Sequence, residues 1–375
     1  MTTPLRYGII GAGMMAREHV RNLGLVPGSR VTAIADPDAR SRDTAAAEVS
    51  RVLGDEPALT AEAGALIGRD DVDAVLIASP NDTHTAILSE IFRRRPTLPV
   101  LCEKPICTRA DELAPLARAA AAHKAPVWVA MEYRYMPPVA ELVKSVRAGD
   151  VGRLRMLSIR EHRFPFLPKV GDWNRFNERT GGTLVEKCCH FFDLMRLIAQ
   201  SEPVRVYASG AADVNHKDER YAGRVPDIID NAFVIVDFAN GVRAALDLCM
   251  FAEGAYFQEE IAATGDTARV EAFVPGVTRF WQGGGREREA EIEVSPRAPQ
   301  NPTRRKVHVD EAILKAGDHH GSTFFQHQRF RAAVLERTPV EVTVEDGLKA
   351  VAIGIAGERS IAERRAVSID GFMIR

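Results

Sequence analysis

The sequence lacks a long apolar run, an excess of charge of one sign and enough cysteines for a disulfide framework, and each absence excludes a class of protein. No stretch approaches the ~18 uninterrupted apolar residues of a membrane span, and the first residues contain no apolar core of a secretory signal. We therefore expect a cytoplasmic protein without a membrane partner. Because 49 Lys and Arg residues nearly balance 51 Asp and Glu residues, the charge gives no reason to expect a nucleic-acid partner.

The five cysteines are an odd number in a chain of 375 residues, and a chain of this length needs no disulfides to hold its core. Two of them, Cys188 and Cys189, are adjacent, and neighbouring cysteines seldom bond to each other. A zinc site formed by these two residues and His190 is disfavoured, because adjacent helix residues point in different directions and no second Cys/His cluster completes the ligands. We expect reduced thiols and no metal. The length predicts two domains.

The first third of the chain alternates short apolar runs with helical patterns, which predicts a doubly wound parallel sheet. The expected strands there cover residues 7–10, 31–35, 74–78, 100–102 and 127–130. After residue 150, short strands follow one another closely, with turn signals at Asn240-Gly241 and Gly265-Asp266, so an antiparallel sheet is expected. Its strands begin within 155–160, 204–207, 232–236, 244–248 and 259–262, whereas 215–227 and 283–303 have the composition of loops.

A glycine-rich hexapeptide, Gly11-Ala12-Gly13-Met14-Met15-Ala16, follows the first strand and opens a helix. This is the G-x-G-x-x-G/A pattern, in which small residues let the backbone approach a pyrophosphate at the helix N-terminus. Asp36 ends the second strand about 20 residues later, where a carboxylate binds the ribose hydroxyls of NAD and repels the 2′-phosphate of NADP. Arg40 and Arg42 are near enough to weaken that repulsion. The alternative is a tight turn that binds no ligand.

Two further segments carry polar groups that suit catalysis. Glu103-Lys104-Pro105 directly follows a strand, at the edge where open α/β sheets bind ligands, although an exposed turn with an ion pair is the plainer interpretation. Glu186, His190 and Asp193 stand at i, i+4 and i+7 of an apolar helix that continues to about residue 198. Buried acids and histidines are costly unless they are paired or used. These three residues are therefore expected to line a cleft, in which an acid orients the imidazole of His190. A structural His–Glu pair is the alternative.

Taken together, these segments make the chain similar to the Gfo/Idh/MocA family, the group of glucose–fructose oxidoreductase and inositol dehydrogenase. The resemblance covers essentially the whole chain and includes Arg134-Tyr135-x-Pro137 and a late Glu345-Asp346-Gly347 helix. It implies an NAD-binding Rossmann domain over residues 1–130 and, over residues 131–375, an α+β substrate domain with a large open, mostly antiparallel sheet. Since that sheet often mediates oligomerisation, a homodimer or homotetramer is expected.

The resemblance also implies roles for individual residues. Lys104 and His190 correspond to the catalytic pair, and Glu186 replaces the usual catalytic aspartate. Thr183 and Cys188 depart from the family's glycine and small residue. The expected NAD contacts are Gly11, Gly13, Met14, Met15, Ala16, Asp36, Ser79, Asn81, His84, Glu103 and Lys104. The expected substrate contacts are Arg134, Trp173, Asn174, Arg175, His190 and Asp193.

The expected activity is that of an NAD-dependent dehydrogenase, which oxidises a secondary hydroxyl of a sugar, sugar acid or cyclitol. Arg163, Lys169 and Arg179 leave an anionic sugar open as substrate. Two other activities also remain open: redox-neutral cleavage of glycosides through transient oxidation, and NAD-binding regulation without catalysis. The fold alone does not choose among them.

Overall fold

The computed structural model describes residues 4–277 and 288–372 of the chain. Its first sheet contains β1 (Leu5–Ile10), β2 (Ser29–Ala35), β3 (Ala58–Thr60), β4 (Ala74–Ile77), β5 (Val100–Cys102) and β6 (Val127–Val129). The helices between them are α1 (Met14–Leu23), α2 (Ala39–Leu53), α3 (Ala63–Ile67), α4 (His84–Arg94) and α5 (Ala110–Ala121). All strand pairs are parallel, in the order β3-β2-β1-β4-β5-β6. This confirms the doubly wound sheet, and its ligand crevice is expected where the order reverses, between β1 and β4.

The central strands of this sheet were predictable because they are apolar throughout. Every residue of β4 is buried, as expected for a parallel strand that is covered on both faces. The additional strand β3 was not predicted, because it has three residues and lies half-exposed at the sheet edge. The carboxyl ends of β1, β2, β4 and β5 form one edge, at which the glycine-rich turn, Asp36 and Lys104 come together.

The second sheet contains nine strands in the described residues, in the order β14-β13-β12-β11-β7-β10-β9-β8-β15. They are β7 (Leu154–His162), β8 (Pro203–Ala211), β9 (Asn231–Phe238), β10 (Arg243–Cys249), β11 (Phe257–Gly265), β12 (Ala268–Pro275), β13 (Ala290–Pro296), β14 (Thr303–Val307) and β15 (Val367–Ser368). The pairs are antiparallel except β7 with β10. Both turn signals join hairpins, at Asn240-Gly241 and Gly265-Asp266. The large, mostly antiparallel sheet is therefore confirmed.

The prediction of a loop over residues 283–303 is wrong for residues 290–296 and for Thr303. Residues 290–296 form β13, whose partner strand β14 begins at Thr303, whereas 278–287 lie outside the described residues. The many polar residues of this segment give it the composition of a loop. Ala290 and Ile292 are nevertheless buried, and Arg304 pairs across the strands with Glu291. Cross-strand ion pairs of this kind support an edge hairpin without adding apolar residues.

The helices of the second half are α6 (Pro137–Ala148), α7 (Asn177–Thr180), α8 (Thr183–Glu186), α9 (Cys189–Ala199), α10 (Glu311–Ala316), α11 (Ser322–Leu335) and α12 (Val344–Glu363). The single helix expected to continue to residue 198 is corrected, because it is interrupted at Lys187-Cys188. Helix α12 runs between α8 and the first sheet: a Cβ on Gly354 would meet the Leu184 carbonyl oxygen at 2.7 Å, and one on Gly347 would meet Val129 at 2.9 Å. None of the helices in residues 4–277 and 288–372 combines the length and apolarity needed to cross a membrane.

Candidate active site

A cleft of about 870 Å³ lies along the carboxyl edge of the first sheet and extends to residues of the second half. The glycine-rich turn and Asp36 line one end of the cleft. Lys104, Trp173 and Glu186 line the other end. A cavity of this size between two structural units is typical of a cofactor and substrate site.

The glycine-rich turn has the backbone that a pyrophosphate needs. Gly11 has a φ of +90°, and a Cβ there would lie 2.4 Å from the Ser79 amide nitrogen, so only glycine fits. Gly13 caps the N-terminus of α1, and a Cβ on it would project into open space. Met14 and Met15 line the cleft as expected. Ala16 does not: it is fully buried, and its small size serves helix–sheet packing.

Asp36 lies at the cleft end of β2, in the position where a ribose is expected. Its Oδ2 accepts a hydrogen bond from the Ala12 amide at 2.7 Å, and its Oδ1 accepts one from the Asp38 amide at 2.8 Å. A carboxylate has about four acceptor sites, so both oxygens can still accept hydroxyl donors. The guanidinium of Arg42 donates to the Asp36 carbonyl oxygen rather than to its carboxylate, while Arg40 lines the cleft. These residues, with the glycine-rich turn, fit the adenosine and pyrophosphate parts of NAD.

Replacing Asp36 with serine should shrink the preference for NAD over NADP in kcat/KM. The carboxylate is held in place by two backbone amides, so its charge would oppose a 2′-phosphate at close range. We expect a change of about tenfold or more, because a repulsion of ~1.4 kcal/mol corresponds to that factor. Asp43→Ser, on the exposed face of α2, is the matched control. A wild type that prefers NADP would contradict the assignment.

Three residues that follow strand β4 were expected to contact the cofactor, and they differ in whether they line the cleft. Ser79 and Asn81 line the cleft. His84 does not, because its ring is fully buried, with Nδ1 2.8 Å from the Pro105 carbonyl oxygen and Nε2 3.0 Å from that of Ser79. The expected cofactor contact of His84 is therefore corrected. Its ring instead supports the turn that carries Lys104.

The Glu103-Lys104-Pro105 turn lies in the cleft and is not an exposed surface turn. The Glu103 Oε1 is 2.8 Å from the His19 Nε2 in a buried contact. The Lys104 ammonium donates to the Glu186 carbonyl oxygen at 3.0 Å, which links the first sheet to α8. Burial acts to lower the pKa of Lys104, but the acidic groups around it, among them Cys189 and Glu103, raise it above its ordinary value. Lys104 is therefore a cation at neutral pH.

The expected pairing of Glu186 with His190 is wrong. The helix break at Lys187-Cys188 separates the two side chains, and the Glu186 Oε2 has no hydrogen-bond partner among the described residues. The His190 ring stacks on Tyr133, with centroids 4.0 Å apart and planes inclined by 6°. Burial, with Lys104 and other cations, lowers the pKa of His190 well below its ordinary range. His190 is a neutral imidazole.

Asp193 and Arg134 were expected to bind substrate, but they bind each other. Two hydrogen bonds of 2.5 Å join the Arg134 guanidinium to the Asp193 carboxylate, and a third, of 2.7 Å, runs to the Glu341 carbonyl oxygen. The Asp193 side chain has no exposed surface, and neither residue lines the cleft. The ion pair holds α9 against the turn at 132–135. It is a structural contact.

Of the other expected substrate residues, Trp173 alone lines the cleft. The Lys169 ammonium lies 4.8 Å from the centre of its ring. Asn174 is buried and donates to the Leu167 carbonyl oxygen at 3.0 Å, and Arg175 is buried against Glu219 at 2.9 Å. These two residues therefore hold the segment at 167–176 in place instead of facing the cleft.

Among the cleft residues that sequence reasoning missed are two ionisable groups near Lys104, Glu132 and His319. Glu132 follows β6, so its place after a parallel strand was a usable signal. His319 lies 2.6 Å from Glu18; burial acts to lower the pKa of His319, but the Glu18 carboxylate raises it to about 9. Its segment before α11 carried no pattern that placed it near the first sheet.

Comparisons with known proteins agree with this architecture. Residues 5–131 match a family model described as "Oxidoreductase family, NAD-binding Rossmann fold", and residues 143–369 match "Oxidoreductase family, C-terminal alpha/beta domain". The chain is 28% identical over 380 residues to the uncharacterized oxidoreductase YrbE of Bacillus subtilis, covering 99% of this chain and 98% of that protein. It is 26% identical over 365 residues to inositol 2-dehydrogenase of Rhizobium meliloti, covering 97% and 99%. A solved structure of levoglucosan dehydrogenase with NADH and levoglucosan has the same fold, with a TM-score of 0.80, 21% identity and coverage of 98% and 100%.

Proposed function

The chain belongs to the Gfo/Idh/MocA family of oxidoreductases, and within that family we propose that it is an NAD-dependent dehydrogenase that oxidises a secondary hydroxyl of a sugar, sugar acid or cyclitol. The family relation establishes an oxidoreductase with an NAD-binding Rossmann domain. NAD supplies the hydride acceptor when it is bound. The turn at Gly11 and Gly13 would hold its pyrophosphate, and Asp36 its ribose.

The observation that carries the choice of substrate is a set of buried acceptors in the cleft that no protein group satisfies. Both carboxylate oxygens of Glu132 and the Oε2 of Glu186 are buried and have no hydrogen-bond partner in the described part of the chain. Leaving such atoms unsatisfied costs free energy, so a bound molecule that donates several hydrogen bonds is favoured. A polyhydroxylated substrate offers such donors. The inositol and levoglucosan dehydrogenases named above act on compounds of this kind.

The charges in the cleft favour hydroxyl groups over a strongly anionic substrate. Lys104 and Lys169 are the cations beside Glu186, and burial lowers the pKa of Lys169 although Glu186 acts to raise it. The carboxylates of Glu103, Glu132 and Glu186 line the same region. A sugar acid would place its carboxylate at Lys169, next to the ring of Trp173, or at Arg179, whose guanidinium already pairs with Asp82.

The protein's own side chains supply the other requirements of the reaction. Lys104, as a buried cation, would hydrogen-bond the reacting oxygen and stabilise its negative charge as the hydroxyl proton leaves. His190 is neutral, so its ring can donate one hydrogen bond and accept another. Trp173 lines the cleft and would pack its ring against the apolar side of a sugar ring.

The exposed face of the second sheet is the proposed contact between copies of the chain. Large apolar side chains stand on it in neighbouring strands, and Phe233 keeps 67% of its surface exposed. The other members of this face are Val204, Tyr207 and Ile235. Exposed apolar surface of this extent on a sheet is typical of an interface. Light scattering during size exclusion should give a dimer or tetramer, and a monomer would contradict the proposal.

A screen for NADH release tests the function directly. The purified protein is mixed with NAD and, in parallel, with free polyols, sugar acids and glycosides, and absorbance at the NADH band is followed. Steady NADH formation with a free polyol or sugar supports the proposal. Cleavage of a glycoside without NADH accumulation would show the redox-neutral activity instead. Binding of NAD without turnover of any compound would show a regulator.

A further inference from the structure

Glu132 is a buried acid of the cleft for which the protein supplies no partner. It lies in the turn at 132–135 that follows β6, and its side chain is 2% exposed. Neither carboxylate oxygen has a hydrogen bond to any residue in the described ranges. Its neighbour Glu103, by contrast, is held by His19. An unpaired buried carboxylate is costly, so a bound molecule that donates a hydrogen bond to Glu132 would be stabilised there.

Glu132 lines the cleft and lies next to His190, which is buried and does not line it. The Glu132 Oε1 lies 3.9 Å from the His190 Nε2, which is too far for a direct hydrogen bond. An oxygen atom about 2.8 Å from each of them would bridge this gap with two ordinary hydrogen bonds. The His190 ring cannot move away easily, because it is stacked on Tyr133. Lys104 lines the same cleft, and its charge acts on the Glu132 carboxylate.

We propose that Glu132 is a further catalytic residue of the dehydrogenase: its carboxylate takes the proton of the reacting hydroxyl, which lies between Glu132 and the Nε2 of His190. This inference rests on the proposed function. In the oxidation, the O–H bond breaks and its proton forms a bond to a Glu132 oxygen. The carbinol C–H bond breaks as well, and its hydrogen would pass with both electrons, as hydride, to NAD as the acceptor, so that the carbinol becomes a carbonyl. In the reverse direction Glu132 returns the proton.

The surroundings of Glu132 give it the proton affinity that this role needs. Burial and the Glu103 carboxylate raise the pKa of Glu132 to about 7, against the opposing effects of His319 from the segment before α11 and of Lys104 from the turn after β5. His190 faces it from α9 but is neutral. A general base works best when its pKa is close to the working pH. Lys104 is already protonated and the pKa of His190 is far lower, so Glu132 is the better base.

The test compares Glu132→Gln, Glu132→Asp and wild type on the polyol that the NADH screen identifies. Glu132→Gln keeps the shape and removes the base, so kcat should fall by roughly 10²–10⁴-fold. The wild-type kcat/KM should rise with pH through about 7, as Glu132 loses its proton, and this rise should be absent in Glu132→Gln. Glu132→Asp keeps the charge and should retain part of the activity. Normal kcat with an unchanged pH profile in Glu132→Gln would overturn the proposal.

Glu259→Gln is the matched control. Glu259 is another buried acid whose pKa is raised to about 7, first by burial and then by Glu161, but it is held by Gln258 and does not line the cleft. Its replacement should leave kcat and its pH dependence close to those of wild type. If the rise of kcat/KM with pH is lost in Glu186→Gln but retained in Glu132→Gln, then Glu186 is the base and the proposal is overturned.

A measurement that needs neither cofactor nor substrate distinguishes the role of Glu132 from the proposed dehydrogenase function. In protein labelled with ¹³C at glutamate carboxyls, one side-chain signal that titrates near pH 7 should vanish in Glu132→Gln, and a different one in Glu259→Gln. If no such signal is lost with Glu132, the base assignment is wrong. If the wild type oxidises no polyol, the proposed function fails and this catalytic role fails with it. If it does oxidise one and Glu132→Gln does so equally well, only the role of Glu132 fails.

Discussion

Replacing Lys104 with alanine is expected to lower kcat by roughly 10²–10⁴-fold, and replacing His190 with alanine should have an effect of similar size. Lys104 is a buried cation whose ammonium already donates to the Glu186 carbonyl oxygen at 3.0 Å. In a site from which water is excluded, such a cation stabilises a developing alkoxide much more than it would in water. His190 would contribute as the second hydrogen-bonding group at the reacting oxygen.

The binding of NAD distinguishes loss of chemistry from loss of structure in these variants. The ribose and the pyrophosphate are assigned to Asp36 and to the turn at Gly11 rather than to Lys104 or His190, so the affinity for NAD, measured by fluorescence quenching, should change little. Lys144→Ala, at an exposed position of α6, is the control and should keep full turnover. Near-normal kcat in Lys104→Ala or in His190→Ala would remove that residue from the mechanism.

Breaking the pair of Arg134 and Asp193 should produce the largest loss of stability. In Asp193→Ala the Arg134 guanidinium loses both hydrogen bonds to the carboxylate and is left, largely buried, beside the more distant Asp346 carboxylate at 3.7 Å. Removing one member of a buried ion pair typically costs about 3–5 kcal/mol of the free energy of unfolding. Urea denaturation followed by circular dichroism measures this loss.

Two comparisons make that prediction specific. The double variant Arg134→Met/Asp193→Leu removes both charges, so it should be more stable than either single variant. Glu178→Ala breaks the exposed pair with Arg224 and should change the free energy of unfolding little. If Asp193→Ala unfolds like the wild type but loses turnover, Asp193 belongs to the substrate site as the sequence suggested.

Local patterns predicted the fold and the cofactor end of the cleft. The glycine-rich turn and Asp36 depend on the strand–turn–helix unit around them, so their spacing in the chain determines their geometry. The nine-stranded sheet was predicted only in part, since β12, β13 and β14 carry charged side chains on the exposed face. The helical spacing of apolar residues predicted the helices where one uninterrupted helix packs on one surface.

The substrate end of the cleft could not be predicted in this way, because its contacts join residues that are far apart in the chain. Lys187 shows the reason most clearly. Its ammonium lies 2.8 Å from the Glu161 carboxylate on β7 and donates to the Tyr133 hydroxyl at 2.6 Å. These buried contacts accompany the break of the helix at Lys187-Cys188, and no helical pattern in the sequence indicates them. Asp193 likewise pairs with Arg134, which lies 59 positions away in the chain.

The most direct test of the central claim, a net transfer of hydride from a carbinol carbon to NAD, is isotopic. The protein is incubated with NAD and with the polyol identified by the screen, deuterated at every carbinol carbon, and the NADH formed is analysed by mass spectrometry. The account predicts that NADH accumulates and carries one deuterium per molecule. Deuterium-free NADH, or conversion of the compound with no accumulation of NADH, would contradict it.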